Sequence, residues 1–411
     1  MKPPIAHRAQ AALPSPQRIA LIAMVALGIN MGIGRFIYTP LLPMMLDAGQ
    51  VDLVQGGWLA SVNNIGYFLG ALLCAMVRIV SRQTIRVNLL AIAVLTACMG
   101  VMDGMSAWVV LRLLAGIATA IAFVAISGWC LSWLAQSGRG DLGGIMYAGP
   151  GLGIMVGGIA GAYMQAHGVS ADSAWLWSAA ITLAALLLVW AETGRQAPGT
   201  SSGKTVSAES RTPNTGTAWP KGQRTILAMH ICCYGLAGFG YIITATFLPV
   251  MAEQALPGQF GKAWLWPLFG LSIAVGALLA TRLPLHWKQS TLLGAAYIVQ
   301  GTGVLMTVVF SSLAGFGLGS LLVGLPFTAI TLFGMREARR LGGGRAIVLM
   351  GAMSAAYGLG QIIGPVLAAY LYDMTGGFHA ALTSAAIALF LGAAGYFFLA
   401  RREDGHGQAH G

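Results

Sequence analysis

Arg35 and Arg112 are the residues whose chemistry needs explaining, because each sits inside a long apolar run in a chain where only 9% of residues are charged. Arg35 falls about 16 residues into the first run, close to its middle. A charge facing lipid at that depth costs about 2.5 to 3.5 kcal/mol or more, and the depth rules out easy snorkelling to an interface. Arg35 must therefore face protein or water. Its planar fork of donors suits bidentate capture of a carboxylate or phosphate; the alternative is a structural arginine held by helix carbonyls freed near Pro40 and Pro43. Arg112 lies in the outer half of the fourth run, near enough to an interface for a long side chain to reach headgroups. Against that, Arg112, Gly116 and Ala120 form an i, i+4, i+8 row with two small residues, a face suited to close contact with another helix.

No carboxylate is expected deep in the membrane: Asp141, Glu192, Glu209, Glu337, Glu403 and Asp404 fall on one side of the apolar runs and the other acids on the opposite side. Proton relays inside membranes use Asp, Glu or His, which leaves His230, about two turns into the seventh run, as the proton-coupling candidate, or else a hydrogen-bonded packing residue. Two fixed cations without a fixed anion favour a negatively charged ligand that supplies the missing charge. Around them, Tyr38, Asn63, Tyr67 and Tyr241 are candidate ligand contacts, and Asn64, Tyr357 and Gln361 are read as interhelical glue. The five cysteines all fall in apolar runs with no metal-like spacing to histidine, so they are expected to pack as small apolar residues, with no metal and no cofactor.

The elements that position these groups follow from composition. The chain is 57% apolar, with a mean hydropathy of +0.74 and 57 glycines in 411 residues. A spanning helix takes roughly 20 mostly apolar residues, and twelve such windows recur, among them about 19 to 46, 107 to 134, 225 to 252 and 313 to 335. Soluble domains are excluded, and so is an outer-membrane barrel, whose strands read as short alternating segments. The first window runs too long for the h-region of a signal peptide. GIGRFIYTPLLPMM from Gly32 returns as GFGYIITATFLPVM from Gly238, a shift of 206 that carries Arg35 onto Tyr241; a shift of 207 carries Gly151-Leu152-Gly153 onto Gly358-Leu359-Gly360. The chain is thus expected to be all-α and integral to the membrane, with twelve transmembrane helices in two pseudo-symmetric six-helix bundles.

The expected division is a cytoplasmic tail 1–18, a first bundle 19–192, a flexible linker 193–222 rich in Gly, Pro, Ser and Thr, a second bundle 223–400 and a cytoplasmic tail 401–411. Of the 23 Lys and Arg, 20 gather on the side that holds both termini, Lys262 alone is opposite, and Arg35 and Arg112 lie within helices. By the positive-inside rule that side is cytoplasmic. The net charge of +11 is therefore a topology signal and not a nucleic-acid patch.

Two six-helix halves in parallel orientation resemble the major facilitator superfamily of secondary transporters. The string Gly32-x-Gly34-Arg35-Phe36-x-Tyr38-x4-Pro43-x-Met45 is similar to the signature of its YbfB/YjiJ-like branch; Arg112-x3-Gly116 resembles the family's fourth-span arginine motif, and Gly149-Pro150 with Gly153 its fifth-span motif. The loop Arg78 to Arg86 has the basic residues of the superfamily's gating loop but lacks its usual acid. The resemblance implies that spans one, four, seven and ten line a central cavity. It also implies alternating access, with the glycine-rich fifth and eleventh spans at the seam between halves, so Gly149, Pro150, Gly153, Gly157, Gly360 and Gly364 are expected to serve interface and gating roles. The expected function is transport of a small organic anion by a monomer in a bacterial inner membrane, with a co-transported proton or an exchanged anion as partner. The alternatives are a proton-coupled exporter of drug-like or sugar-like compounds and, more distantly, an intramembrane enzyme or sensor, for which the sequence offers no nucleophile–base pair.

Overall fold

The computed structural model describes residues 15–76, 81–194, 221–284 and 286–407. Most of the expected linker, the first fourteen residues and the last four lie outside them.

Twelve helical spans follow in order. The first six are α1 Pro16–Asp47, α2 Leu53–Met76, α3 Arg82–Met99, α4 Met105–Gln136, α5 Gly143–Ala166 and α6 Ala171–Gly194. The second six are α7 Lys221–Ala255, α8 Leu265–Ala280, α9 Gln289–Val309, α10 Leu313–Gly342, α11 Ala346–Thr375 and α12 His379–Gly407. Eleven of them are long and apolar enough to cross a membrane; α3 falls short because Arg82, Arg86 and Asn88 occupy its first two turns. Starts are set by capping: the hydroxyls of Ser15, Ser81 and Ser312 accept the orphan backbone N–H of Arg18, Thr84 and Gly315. Outward faces carry exposed Leu187, Ile347 and Leu391, side chains that only a lipid surround would cover without cost.

The spans form two six-helix bundles, α1 to α6 and α7 to α12, related by the sequence repeat. Within each, equivalent pairs pack together: α1 on α5 as α7 on α11, and α3 on α6 as α9 on α12. The bundles meet along two seams, α2 against α11 and α5 against α8. They are sealed at the end away from the termini, where Phe36 lies 6.3 Å from Trp266 and the Thr39 hydroxyl donates to the Ala245 carbonyl at 3.0 Å. Towards the termini α4 and α10 make no extended contact with each other.

One feature was not expected, and two expectations need correction. α5 runs unbroken through Pro150 and α11 through Pro365, whereas α1 is broken: Gly28–Ile33 is wound as a π-helix and Gly34 to Ile37 form turns before the helix resumes at Tyr38. Such wide turns recur at functional sites. The glycine row of α5 also faces differently from the expected gating seam. Gly149 lies against Met24, Gly153 against Gly28 and Gly157 against Ile37, all on α1 of the same bundle; Gly360 and Gly364 lie against Phe239 and Ile242 on α7. The α5/α8 seam uses Gly144, Gly151 and Gly158, an i, i+7 row on nearly the opposite side of the helix. Finally, α10 does not stop near residue 335 but continues to Gly342.

A Cβ on Gly153 would stand 2.1 Å from the Gly28 carbonyl oxygen, whereas one on Gly351 meets nothing within 4 Å. Gly153→Ala is expected to destabilise the folded protein by about 1–3 kcal/mol through overpacking, lowering its thermal unfolding midpoint in detergent. Gly351→Ala should leave the midpoint unchanged or slightly raised.

Candidate transport site

The break in α1 is what presents Arg35. After the π-turns, the Gly34 and Phe36 amides bond back five residues, to Ile29 and Met31, and the chain turns so that Arg35 points at the α2/α11 seam. Gly34 is required there: a Cβ would come within 2.6 Å of the Asn30 carbonyl and the Thr119 side chain. The Arg35 side chain is buried, and its Nη2 donates to Asn64 Oδ1 at 2.9 Å and Gln361 Oε1 at 3.0 Å. Tyr67 stacks beneath the guanidinium at 4.2 Å. Nε has no hydrogen-bond partner, and Nη1 makes none among the described residues. Most of the donor fork is therefore unspent.

Arg112 shares the same cavity. It is also buried, lies over the Tyr38 ring at 4.5 Å and makes one long bond, from Nε to the Leu59 carbonyl at 3.4 Å. Its helix is held on α2 by the predicted small-residue row, since a Cβ on Gly116 would meet the Asn63 carbonyl oxygen at 2.2 Å. Asn63 returns a bond from Nδ2 to the Arg112 carbonyl at 3.0 Å, and Tyr38 donates to the Gly56 carbonyl at 2.9 Å. The cavity is small, about 20 Å³ as it stands, and it opens to solvent on one side. Its walls carry both guanidiniums, Asn63, Asn64, Thr39 and Thr246, with Phe36, Ala60 and Ile242 as apolar surface and no carboxylate. Unpaired buried cations carry a large desolvation cost.

Of the predicted contacts, Arg35, Tyr38, Asn63 and Arg112 thus line one cavity, and Tyr67 supports Arg35 from below. Tyr241 reaches it indirectly: its hydroxyl accepts from Gln361 Nε2, and its ring stacks on Tyr357 at 5.8 Å. Gln361 and Asn64, read from the sequence as glue, are the direct partners of Arg35.

His230 lies elsewhere, buried towards the terminal end of the second bundle. Here the expectation that no carboxylate is deeply placed fails, because α10 continues past residue 335 and carries Glu337 into the core. Glu337 is fully buried, 3.8 Å from His230 Nε2, with the Ser290 hydroxyl at 3.3 Å and both oxygens bonded by Arg340. Neither ring nitrogen of His230 has a hydrogen-bond partner. The stripe Ile330, Phe333, Glu337 at helical spacing is the sequence signal that would have put Glu337 on the buried face. No group of three or more metal-binding side chains occurs among the described residues.

A twelve-span, two-bundle fold enclosing a small polar cavity between its halves is that of a membrane transporter of the major facilitator type. The model of one family, described as the uncharacterised MFS-type transporter YbfB, matches residues 27–395, and the chain belongs to that family. Its members are transporters rather than enzymes. Two solved structures share the fold, both of a bacterial homologue of the human lysosomal transporter Spinster, one inward-facing and unoccupied, the other inward-facing and occupied. Each is 13% identical and covers 95% of this chain and 98% of its own, with TM-scores of 0.66 and 0.67. At that identity the likeness concerns the fold alone. No curated protein matches the sequence significantly.

Glu337→Ala should destabilise the folded protein by about 1–3 kcal/mol more than Glu337→Gln, because glutamine keeps an acceptor for Ser290 and Arg340 whereas alanine leaves a hole among unpaired groups. Thermal unfolding of the two variants side by side checks the order.

Proposed function

We propose that this chain is a secondary active transporter of a small organic anion, with Arg35 as the main ligand and Arg112 as the second cation. The observation that carries the reading is the pairing of two buried guanidiniums in one cavity whose walls hold no carboxylate, with Arg35 Nε and Nη1 unspent. A carboxylate docking on Arg35 supplies charge-assisted bonds roughly twice as strong as neutral ones. Phe36, Ala60 and Ile242 suit a compact apolar body, and Tyr38 and Tyr67 hold the two guanidiniums in place from behind.

On this reading the protein works as a monomer in the bacterial inner membrane. Residues 1–18, the linker 193–222 between bundles 19–192 and 223–400, and residues 401–411 face the cytoplasm. The basic side then holds the termini, and the seal at the opposite end makes this the inward-facing state of an alternating-access cycle. Gly144, Gly151 and Gly158 give α5 a smooth face on which α8 can tilt. The driving partner is an exchanged anion or a proton. His230 beside buried Glu337 favours the proton and is the observation behind a second reading, a proton-coupled exporter of drug-like or sugar-like compounds.

In sealed liposomes, wild type should accumulate one or more of a panel of labelled small mono- and dicarboxylates, and Arg35→Gln, folded to the same extent, should lose at least tenfold of that uptake. Equal uptake by both proteins would make Arg35 structural, and uptake of lipophilic cations or sugars instead would favour the exporter.

A further inference from the structure

We propose that Gln361 is the gating residue of this carrier: it bolts the two bundles together through Arg35, and an anion arriving at Arg35 draws the bolt. The proposal rests on the reading of Arg35 as the anion ligand. Among the described residues four hydrogen bonds cross from one bundle to the other: Arg35 Nη2 to Gln361 Oε1 at 3.0 Å, Asn64 Nδ2 to the Gln361 carbonyl at 2.9 Å, the Ser61 hydroxyl to the Ile362 carbonyl at 2.8 Å, and the Thr39 hydroxyl to the Ala245 carbonyl at 3.0 Å. Two of the four end on Gln361. All four lie from the level of Arg35 outward, on the sealed side.

The two seams differ in kind. Along α5/α8 the bundles touch backbone to backbone: a Cβ on Gly151 would stand 2.4 Å from the Ala274 nitrogen, and one on Gly270 would stand 2.4 Å from that of Met155. That surface slides. Along α2/α11, where Gly57 also packs against the Pro365 carbonyl, side-chain hydrogen bonds cross as well, so the directional force holding the outer end shut is concentrated where the ligand binds.

The bolt is built to yield to a negative charge. Arg35 Nη2 is shared between two neutral amide oxygens, one in its own bundle and one across the seam. A carboxylate is the stronger acceptor for a guanidinium and takes the place of the Gln361 amide on Nη2, whereas a neutral ligand gains nothing over it. Once released, Gln361 is not stranded, because its Nε2 already donates to the Tyr241 hydroxyl on α7 of its own bundle. Arg35 in turn keeps Asn64. Each partner thus retreats to its own half. Tyr241 is the repeat-related counterpart of Arg35, so the line Arg35–Gln361–Tyr241 joins the two equivalent positions across the seam.

Spin labels at Ala48→Cys and Met374→Cys report the opening, both exposed at the end away from the termini and on opposite bundles. The background carries alanine at all five native cysteines. Without added ligand, Gln361→Leu should lower the closed-to-open ratio about five- to thirtyfold, the effect of losing the one bond its side chain makes across the seam, while the Asn64 bond to its backbone carbonyl stays. Gln361→Glu fixes a carboxylate against Arg35 across the seam, and should stay closed with or without saturating succinate, benzoate or inorganic phosphate. The parent should open with at least one of those anions. A Gln361→Leu distribution as closed as the parent's overturns the bolt, as does a Gln361→Glu protein that opens when the anions are added. Should Gln361→Leu fail to fold, the Gln361→Glu comparison decides alone. If Gln361→Leu opens while the parent ignores all three anions, the anion trigger is overturned, and the failure lies with the reading of Arg35 as a ligand rather than with the seam.

Discussion

A guanidinium held near the middle of a membrane is the constraint on which the rest of this molecule depends. Arg35 cannot face lipid and cannot reach water by length alone, so the fold must supply acceptors, a stacking surface and a cavity around it. The π-wound break in α1 turns the side chain inward, Tyr67 lies beneath it, and Asn64 and Gln361 receive one of its nitrogens. Those acceptors are neutral, and the second cation in the cavity is answered only by the Tyr38 ring and a distant carbonyl. The apo protein is therefore satisfied enough to fold and short of one negative charge.

This shortage ties the architecture to transport. A site that completed its own charge balance would hold no affinity in reserve for a ligand; a site with no protein acceptors for Arg35 would carry the full penalty of a buried charge. Gln361 lies between those limits, and because it stands on the other bundle, satisfying Arg35 also closes the seam. The second seam, lined by glycines in backbone contact, adds packing without directional bonds. On the proposed function, one side of the interface holds and the other yields.

Much of this was legible in the sequence. Hydropathy windows and the 206-residue echo gave the twelve spans and the two bundles, because each span must satisfy its backbone internally and so announces itself by length and apolarity. That Arg35 faces protein and that the Arg112–Gly116–Ala120 row packs closely on another helix also read correctly. What could not be read was phase and partnership. The glycine row 149, 153, 157 was visible, but whether it met α1 or α8 depends on how the helix is rotated in the bundle, which spacing alone does not set. Glu337 was misplaced because α10 turns amphipathic in its last turns: a hydropathy window ends where the charges begin, while one face of the helix stays buried. Gln361 was indistinguishable from any polar residue in a span, since its importance comes from Arg35, 326 positions earlier in the chain.

Thermal unfolding of the purified wild-type protein against small carboxylates, neutral sugars and lipophilic cations tests the central claim most directly, because a ligand that binds only the folded state raises its stability. The account predicts that carboxylates raise the midpoint, progressively with concentration, and that sugars and lipophilic cations do not. Stabilisation by lipophilic cations with no response to any anion would contradict it, since a cavity walled by two buried guanidiniums would then be holding a third positive charge.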